Sequence, residues 1–269
     1  MKNSNFRDNV VIVTGASSGI GRQLAIQLSN QGASLALAAR DTNRLEEIAA
    51  QCHHRDCKAL VVPTDITQQS ACQHLVNRTV DEFGRIDTLI NNAGIAMRAS
   101  FDQVEDLDKF DEIMRVNYFG SMYCTYYALP YLKRTRGRIV GVSSLAGKTG
   151  IPLISLYAAS KHAMTGFFDS LRIELADHGV SVTMIYPAFV DTEIAQRAIG
   201  PDGKPLGVSA TPRRKVMTAE MCARMIIKAA ARRRRRLLMT AQGKIGLWLK
   251  VIAPSVVDRM ARRAMERND

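Results

Sequence analysis

Two hydrophobic patterns alternate along the chain. Short apolar runs such as Val10-Val11-Ile12-Val13 carry no polar alternation. Strands buried on both faces of a parallel sheet read this way. Strands are predicted over 10–14, 34–39, 59–63, 88–91, 138–143, 181–186 and 237–240. Between them, apolar residues recur every three to four positions, which predicts helices over 20–31, 43–52, 68–83, 109–131, 157–176 and 218–232. Strands separated by helices imply right-handed βαβ crossovers, so the fold class is α/β with a parallel sheet. No internal repeat interrupts the series. Gly200, Pro201, Gly203, Pro205, Gly207 and Pro212 predict a flexible loop over 199–217. Residues 1–240 read as one catalytic domain, with a substrate loop at 188–217. Residues 241–269 form an extension beyond the last strand.

Composition adds little to this picture, and charge adds more. At 269 residues, 46% hydrophobic and 23% charged, the chain is an ordinary globular length of α/β protein. The net charge of +12 is concentrated late, in Arg213, Arg214, Lys215, the run Arg232 to Arg236, and Arg259, Arg262, Arg263 and Arg267. Five arginines in a row would spread around a helix and make no stripe. With no nucleic-acid motif beside them they read as a solvated helix end, and nucleic acid is not expected as a partner. Five cysteines without framework spacing point to a reducing compartment. The segment Cys52-His53-His54-Arg55-Asp56-Cys57 lacks the second ligand cluster that a structural zinc site needs, so it reads as a polar loop and no metal is expected. The N-terminus has no signal-peptide pattern and no run is long enough to span a bilayer. The expected location is cytoplasmic, with attachment to the inner face of a membrane open through the extension.

The first chemical signal is Thr14-Gly15-Ala16-Ser17-Ser18-Gly19-Ile20-Gly21, between the first strand and the first helix. Gly15 permits a tight turn, and Gly19 and Gly21 let backbone approach a phosphate. Ser17, Ser18 and Ile20 lie at the helix N-terminus, where free N–H groups face an anion. The second strand then ends in Ala38-Ala39-Arg40. Where NAD enzymes carry an acid for the ribose 2′-hydroxyl, Ala39 has no acceptor, and Arg40 suits a 2′-phosphate. This favours NADP(H) over NAD(H). Asp41 offers the contrary reading if its carboxylate turns inward.

The second signal is Tyr157-Ala158-Ala159-Ser160-Lys161. Positions four apart share a helix face, so a phenol stands beside an ammonium. A neighbouring cation lowers the phenol's pKa towards a useful range for acid–base catalysis. Asn91-Asn92-Ala93-Gly94 ends the fourth strand, Asn117 lies in the following helix, and Ser143-Ser144 ends the fifth strand.

Taken in order, these motifs resemble the short-chain dehydrogenase/reductase family over residues 8 to 195. Ser143 to Lys148 and Gly166 to Arg172 are similar to its branch around 11β-hydroxysteroid dehydrogenase and bacterial relatives. The resemblance implies a single domain with a Rossmann-type, doubly wound, seven-stranded parallel sheet, here with a C-terminal helical extension. It implies Tyr157 as proton donor and acceptor, Ser144 holding the substrate oxygen, Lys161 binding the nicotinamide ribose, and Asn117 holding a water in the proton relay. It carries further cofactor contacts onto Asp65, Ile66, Asn92, Ala93, Gly94, Pro187, Val190 and Thr192. Ser144 is preferred to Ser143 because the family places this serine 12 to 13 positions before the tyrosine. Ala188 departs from the family's Pro-Gly and puts the loop geometry there in doubt. The implied activity is hydride transfer between nicotinamide and a carbonyl or secondary alcohol.

Two other functions compete. Gly141-Val142-Ser143-Ser144-Leu145 begins like a hydrolase nucleophile elbow but lacks the last glycine, and His162 and His178 read as structural. A non-catalytic dinucleotide-binding regulator of the same fold stays as the alternative, although such proteins lose the tyrosine or the lysine. Phe189, Ile194, Ile199, Leu206 and Val208 in the substrate loop favour an apolar small-molecule substrate. Tyr118, Phe119, Tyr123, Tyr126, Tyr127, Phe167, Phe168 and Leu171 leave two helices apolar on more than one face, and a homodimer or homotetramer is expected. In the extension, Leu247, Trp248, Leu249, Val251 and Ile252, then Val256, Val257, Met260 and Ala261, make an apolar stripe beside basic residues. Such a stripe either meets an anionic membrane surface or packs on protein.

Overall fold

The computed structural model describes residues 6–52, 58–207 and 216–266. The metal-like segment beyond Cys52, together with Val208, Pro212, Arg213, Arg214, Lys215 and Arg267, lies outside the described residues.

Seven parallel strands form one sheet in the order β3-β2-β1-β4-β5-β6-β9. They are β1 (Val10–Thr14), β2 (Ser34–Ala39), β3 (Ala59–Pro63), β4 (Thr88–Asn91), β5 (Arg138–Val142), β6 (Ser181–Tyr186) and β9 (Arg236–Leu238). The helices are α1 (Gly19–Ser29), α2 (Thr42–Gln51), α3 (Gln69–Phe83), α4 (Asp108–Met114), α5 (Gly120–Thr135), α6 (Ser155–Glu174), α7 (Ala219–Ala231), α8 (Ala241–Ile252) and α9 (Pro254–Glu266). Alternate residues of β1 serve different layers. Val11 and Val13 pack with Leu24 and Leu28 of α1 and Ile226 of α7, whereas Ile12 packs with Leu75 of α3 and Leu132 of α5. All three strand residues are fully buried, as the unbroken apolar runs predicted. Strand order reverses between β1 and β4, and the crevice above that point is where a doubly wound sheet takes its ligand.

The structure differs from the sequence reading in four places. The helix predicted over 109–131 is two helices joined by a π-turn at Arg115–Phe119. α5 also runs through Pro130 to Thr135; that proline sits on an exposed face, where water can serve the carbonyl it leaves free. The last strand is shorter and earlier than expected, because Thr240 turns to cap α8 through its hydroxyl on Gly243 N (3.1 Å). A two-stranded ribbon, β7 (Val190–Asp191) with β8 (Met217–Thr218), went unpredicted. The stretch read as flexible is held by backbone over its described part. Arg98 N donates to Ile199 O, Ile199 N to Ala96 O and Glu105 N to Pro201 O.

The arginine run divides. Arg233 reaches under the sheet and donates to three carbonyls, of Arg136 (2.6 Å), Gly179 (3.0 Å) and Gly137 (3.1 Å). It is a structural clamp between loops and not part of a basic patch.

Candidate active site

The loops leaving the strands above the β1–β4 reversal enclose a cavity of about 940 Å³. Every site residue predicted from sequence lines it except Gly21 and Asn117, which stand directly behind its wall.

The phosphate loop is built by close approach. Thr14 Oγ1 accepts from the backbone N–H groups of Asn92 (3.0 Å) and Ala93 (3.1 Å), and Asn92 Nδ2 donates back to Thr14 O (3.0 Å). This locks the loop after β4 onto the loop after β1. A Cβ on Gly15 would stand 2.7 Å from Ala93 Cα, and one on Gly21 2.0 Å from the Gly15 carbonyl oxygen. Gly15 also has φ +66°, where a side chain is strained. No described side chain caps α1, so its first-turn N–H groups have no competitor for an anion.

At the far end of the cavity, Arg40 is exposed on the wall. Asp41 turns away from the contrary reading. Its Oδ1 caps α2 by accepting from Arg44 N (3.1 Å), and its Oδ2 lies 3.5 Å from Arg44 Nε. Asp65 is half-buried, with Oδ1 accepting from Thr67 N and Thr67 Oγ1 (3.0 and 2.8 Å).

At the opposite end, Tyr157 and Lys161 project from one face of α6. Tyr157 and Ser144 both line the cavity, and Ser144 acts to lower the phenol's pKa. Lys161 is buried and donates to Val142 O at 3.2 Å, with its ammonium 5.8 Å from the Tyr157 ring centre. Burial alone pushes the Lys161 pKa down to about 8. Burial also pushes the Tyr157 phenol up, and Ser144 works against it. The lowering by Lys161 expected from the spacing is therefore not the dominant effect here. The ammonium is directed at a carbonyl, and the phenol is half-buried on the cavity wall. Ser143 faces the other way, donating to Lys161 O at 3.2 Å beside Thr165.

Asn117 is fully buried in the π-turn, and its side-chain amide is spent on the protein. Its Oδ1 accepts from Ile95 N (2.9 Å), and its Nδ2 donates to Ile95 O (3.0 Å) and Ser160 Oγ (2.9 Å). It thus ties the loop after Gly94 to α6. Pro187 O accepts from Leu145 N at 3.0 Å, joining the Ser144 turn to the loop after β6. Thr192 rests its methyl against Gly19, 3.0 Å from where a Cβ would be.

The substrate end is walled by Ile95, Ala96, Val116, Ile194, Ile199 and Pro205, with Lys109, Glu112 and Arg197 beside them. Of the loop's apolar residues, Ile194 and Ile199 line the cavity, whereas Phe189 is 58% exposed and outside it. Sequence reasoning missed Arg44, Thr64, Glu193 and Arg197 around the cavity and Ser160 behind it. Arg44 lies one helical turn after Arg40, and that spacing was a usable signal.

A parallel sheet with this order, a glycine-walled loop at its reversal point and a Tyr-Lys pair opposite define a nucleotide-binding Rossmann-type protein. The family model described as short chain dehydrogenase matches residues 9–200. A Sesamum indicum protein named 11-beta-hydroxysteroid dehydrogenase A is 37% identical over 264 residues, 94% of this chain and 74% of that one. A Dictyostelium discoideum protein named dehydrogenase/reductase SDR family protein 7-like is 33% identical, covering 97% of this chain and 83% of its own. An alcohol dehydrogenase from Thermococcus sibiricus, solved with 5-hydroxy-NADP, superposes with TM-score 0.72 at 26% identity, over 82% of this chain and 89% of that one. The chain belongs to the short-chain dehydrogenase/reductase family.

Proposed function

We propose that this oxidoreductase moves a hydride between NADP(H) and a carbonyl or secondary alcohol on an apolar small molecule, with Tyr157 as the acid and base. The observation that carries the reading is Ser144, Tyr157 and the buried Lys161 on one cavity wall, with the ammonium 5.8 Å from the Tyr157 ring centre. The residues fit a dinucleotide: at Gly15, Gly21 and Gly94 the loops pack too closely on one another to admit a Cβ, and Ser17, Ser18, Gly19 and Ile20 present the open end of α1 to the cavity. Asp65, Ile66, Asn92, Ala93, Pro187, Val190 and Thr192 would complete the binding walls. Arg40 would hold the 2′-phosphate, because the adjoining Asp41 is engaged as a helix cap. That arrangement, together with the neighbour solved with an NADP analogue, favours NADP(H) over NAD(H). The cofactor supplies or accepts the hydride at its nicotinamide ring. Ser144 and Tyr157 fix the substrate oxygen from two sides, and the phenol proton passes to that oxygen as charge develops on it. Lys161 places its positive charge next to that exchange and donates to the ribose. Asn117 contributes position, by holding Ile95 and Ser160 on either side of the pair.

The test is Tyr157→Phe. Reduction of a panel of apolar ketones and aldehydes by NADPH should fall by roughly 10²–10⁴ while NADPH binding, read by fluorescence, survives. Full activity in the variant sinks the assignment. Binding without turnover in the wild type favours the non-catalytic regulator.

Two assemblies are part of the reading. The π-turn, α5 and α6 present Tyr118, Phe119, Tyr123 and Phe167 as a ring cluster with centroids 5.0 to 6.1 Å apart. This aromatic, uncharged face is read as the contact with a second copy of the chain. Residues 1–240 are taken as the catalytic unit. In the extension after it, α8 turns Ile245, Trp248, Val251 and Ile252 outward with Lys244 among them. On α9, exposed Val256 and Met260 lie beside Arg259 and Arg263. Apolar residues facing water and interleaved with cations suit an anionic lipid surface. No helix of the described residues is long and apolar enough to cross a membrane.

A further inference from the structure

Arg44 is a second cation at the Arg40 end of the cavity, and its guanidinium is shared by two carboxylates. Asp41 takes Nε from within the same turn. Glu193 takes Nη1 at 3.2 Å from 149 residues away, on the loop after β7. The same Glu193 oxygen also pairs with Arg197, one turn further along that loop. A line of charges thus runs from the first turn of α2 to the loop that walls the substrate end. Arg40, Arg44 and Arg197 all border the one cavity.

The two carboxylates are not equivalent. Asp41 caps α2, so it cannot leave without uncapping the helix. Glu193 caps nothing. Its pair with Arg44 joins two side chains that are 44% and 41% exposed, and such pairs are weak. Arg197 remains to hold Glu193 if Arg44 is taken away. A phosphate near two negative charges, presented to a planar fork, outcompetes a half-exposed carboxylate for an arginine.

We propose that Glu193 is the resident anion of the 2′-phosphate subsite: it occupies Arg44 in the empty cleft, and a 2′-phosphate displaces it onto Arg197. Arg44 is then a second phosphate ligand beside Arg40. Glu193 is a positioning residue acting through Arg44. A nucleotide without the 2′-phosphate leaves the Arg44–Glu193 pair intact, so Glu193 selects by what is able to displace it. Because Glu193 adjoins Thr192 and Ile194, the exchange also couples the 2′-phosphate to the substrate loop. This inference rests on the proposed NADP(H) preference.

The test is calorimetric binding of 2′,5′-ADP and 5′-AMP to the full chain. The two differ by the 2′-phosphate, and neither supports turnover. The wild type is expected to bind 2′,5′-ADP at least about tenfold tighter than 5′-AMP. Arg44→Ala should lose about tenfold on 2′,5′-ADP, and Glu193→Gln should gain about threefold or more, both with 5′-AMP within about twofold of wild type. Arg44→Lys, which keeps the charge but not the fork, should fall between Arg44→Ala and wild type. It carries the test if the alanine variant has a lowered unfolding midpoint. If Arg40→Ala collapses the preference while the Arg44 variants leave it unchanged, this proposal is overturned and the NADP(H) reading stands. Loss in Arg44→Ala without gain in Glu193→Gln overturns the displacement by phosphate. Equal wild-type binding of the two nucleotides overturns both readings.

Discussion

Lys161 is the residue where function and stability oppose each other most directly. Its folded pKa is about 8, against 10.5 when unburied. Below about pH 8 both states are protonated and the full cost of burying the ammonium is present. Between about pH 8 and 10.5 the unfolded chain holds more protons, so stability rises with pH through that window. Lys161→Met keeps the stem and removes the charge. It is expected to raise the unfolding free energy at pH 7 by about 1–3 kcal/mol, with the gain shrinking towards pH 10, while turnover is lost. Urea melts of both proteins at pH 7 and 9.5 check this, and a variant less stable at pH 7 contradicts it. Tyr157, pushed up by burial, stays protonated across the neutral range and is ready to donate. Reductive kcat/KM should therefore be level from about pH 6 to 7.5 and decline above about 8 as Lys161 discharges. A reductive rate that climbs from pH 7 to 9 would refute this. The pairing of the two residues was legible from four-residue spacing alone. The sign of the phenol's shift was not, because it depends on how dry the site is, and spacing carries no burial.

The elements were legible wherever one local rule determined them. Unbroken apolar runs located the strands, and the glycines of the first loop were readable because backbone sterics at Gly15 and Gly21 admit nothing larger. The π-turn at Arg115–Phe119 was invisible. A π-turn inserts one residue without changing residue type, and only the tertiary bonds of Asn117 show what it is for. It turns the amide inward between Ile95 and Ser160, one side chain satisfying three groups. Asn117→Ala leaves the Ile95 N–H and C=O unpaired behind the cavity wall. The expected result is a loss of about 2–3 kcal/mol in stability and a fall in turnover at least as large as in stability-matched core variants. Thermal unfolding and steady-state kinetics read the two effects separately. Wild-type turnover in a destabilised variant would make Asn117 purely structural.

At the scale of the whole molecule, the extension is the feature for which sequence leaves two readings open, contact with an anionic membrane or packing on protein. In a helix packed on its own core the apolar face turns inward. In α8 no residue is fully buried, and Trp248 is 71% and Val251 82% exposed. Leu247 and Leu249 are half-buried, whereas Ile245, Trp248, Val251 and Ile252 face outward, and the membrane proposal concerns these outward residues. Charge is the argument for lipid over a second copy as the proposed occupant. Two copies meeting through this face would bring Lys244, Arg259 and Arg263 of each against the same cations of the other, whereas an anionic bilayer neutralises them at about 1 kcal/mol each. The full chain is expected to float with vesicles containing about 30% phosphatidylserine at low salt, and to be released as ionic strength rises past the point where the Debye length falls to a few ångströms. Trp248→Glu with Val251→Glu should abolish flotation and leave the mass from light scattering unchanged, because the aromatic face of α5 and α6 lies elsewhere. If the wild type stays with the soluble fraction and the same variant halves the mass in solution, the stripe is a contact between copies and the membrane reading is wrong.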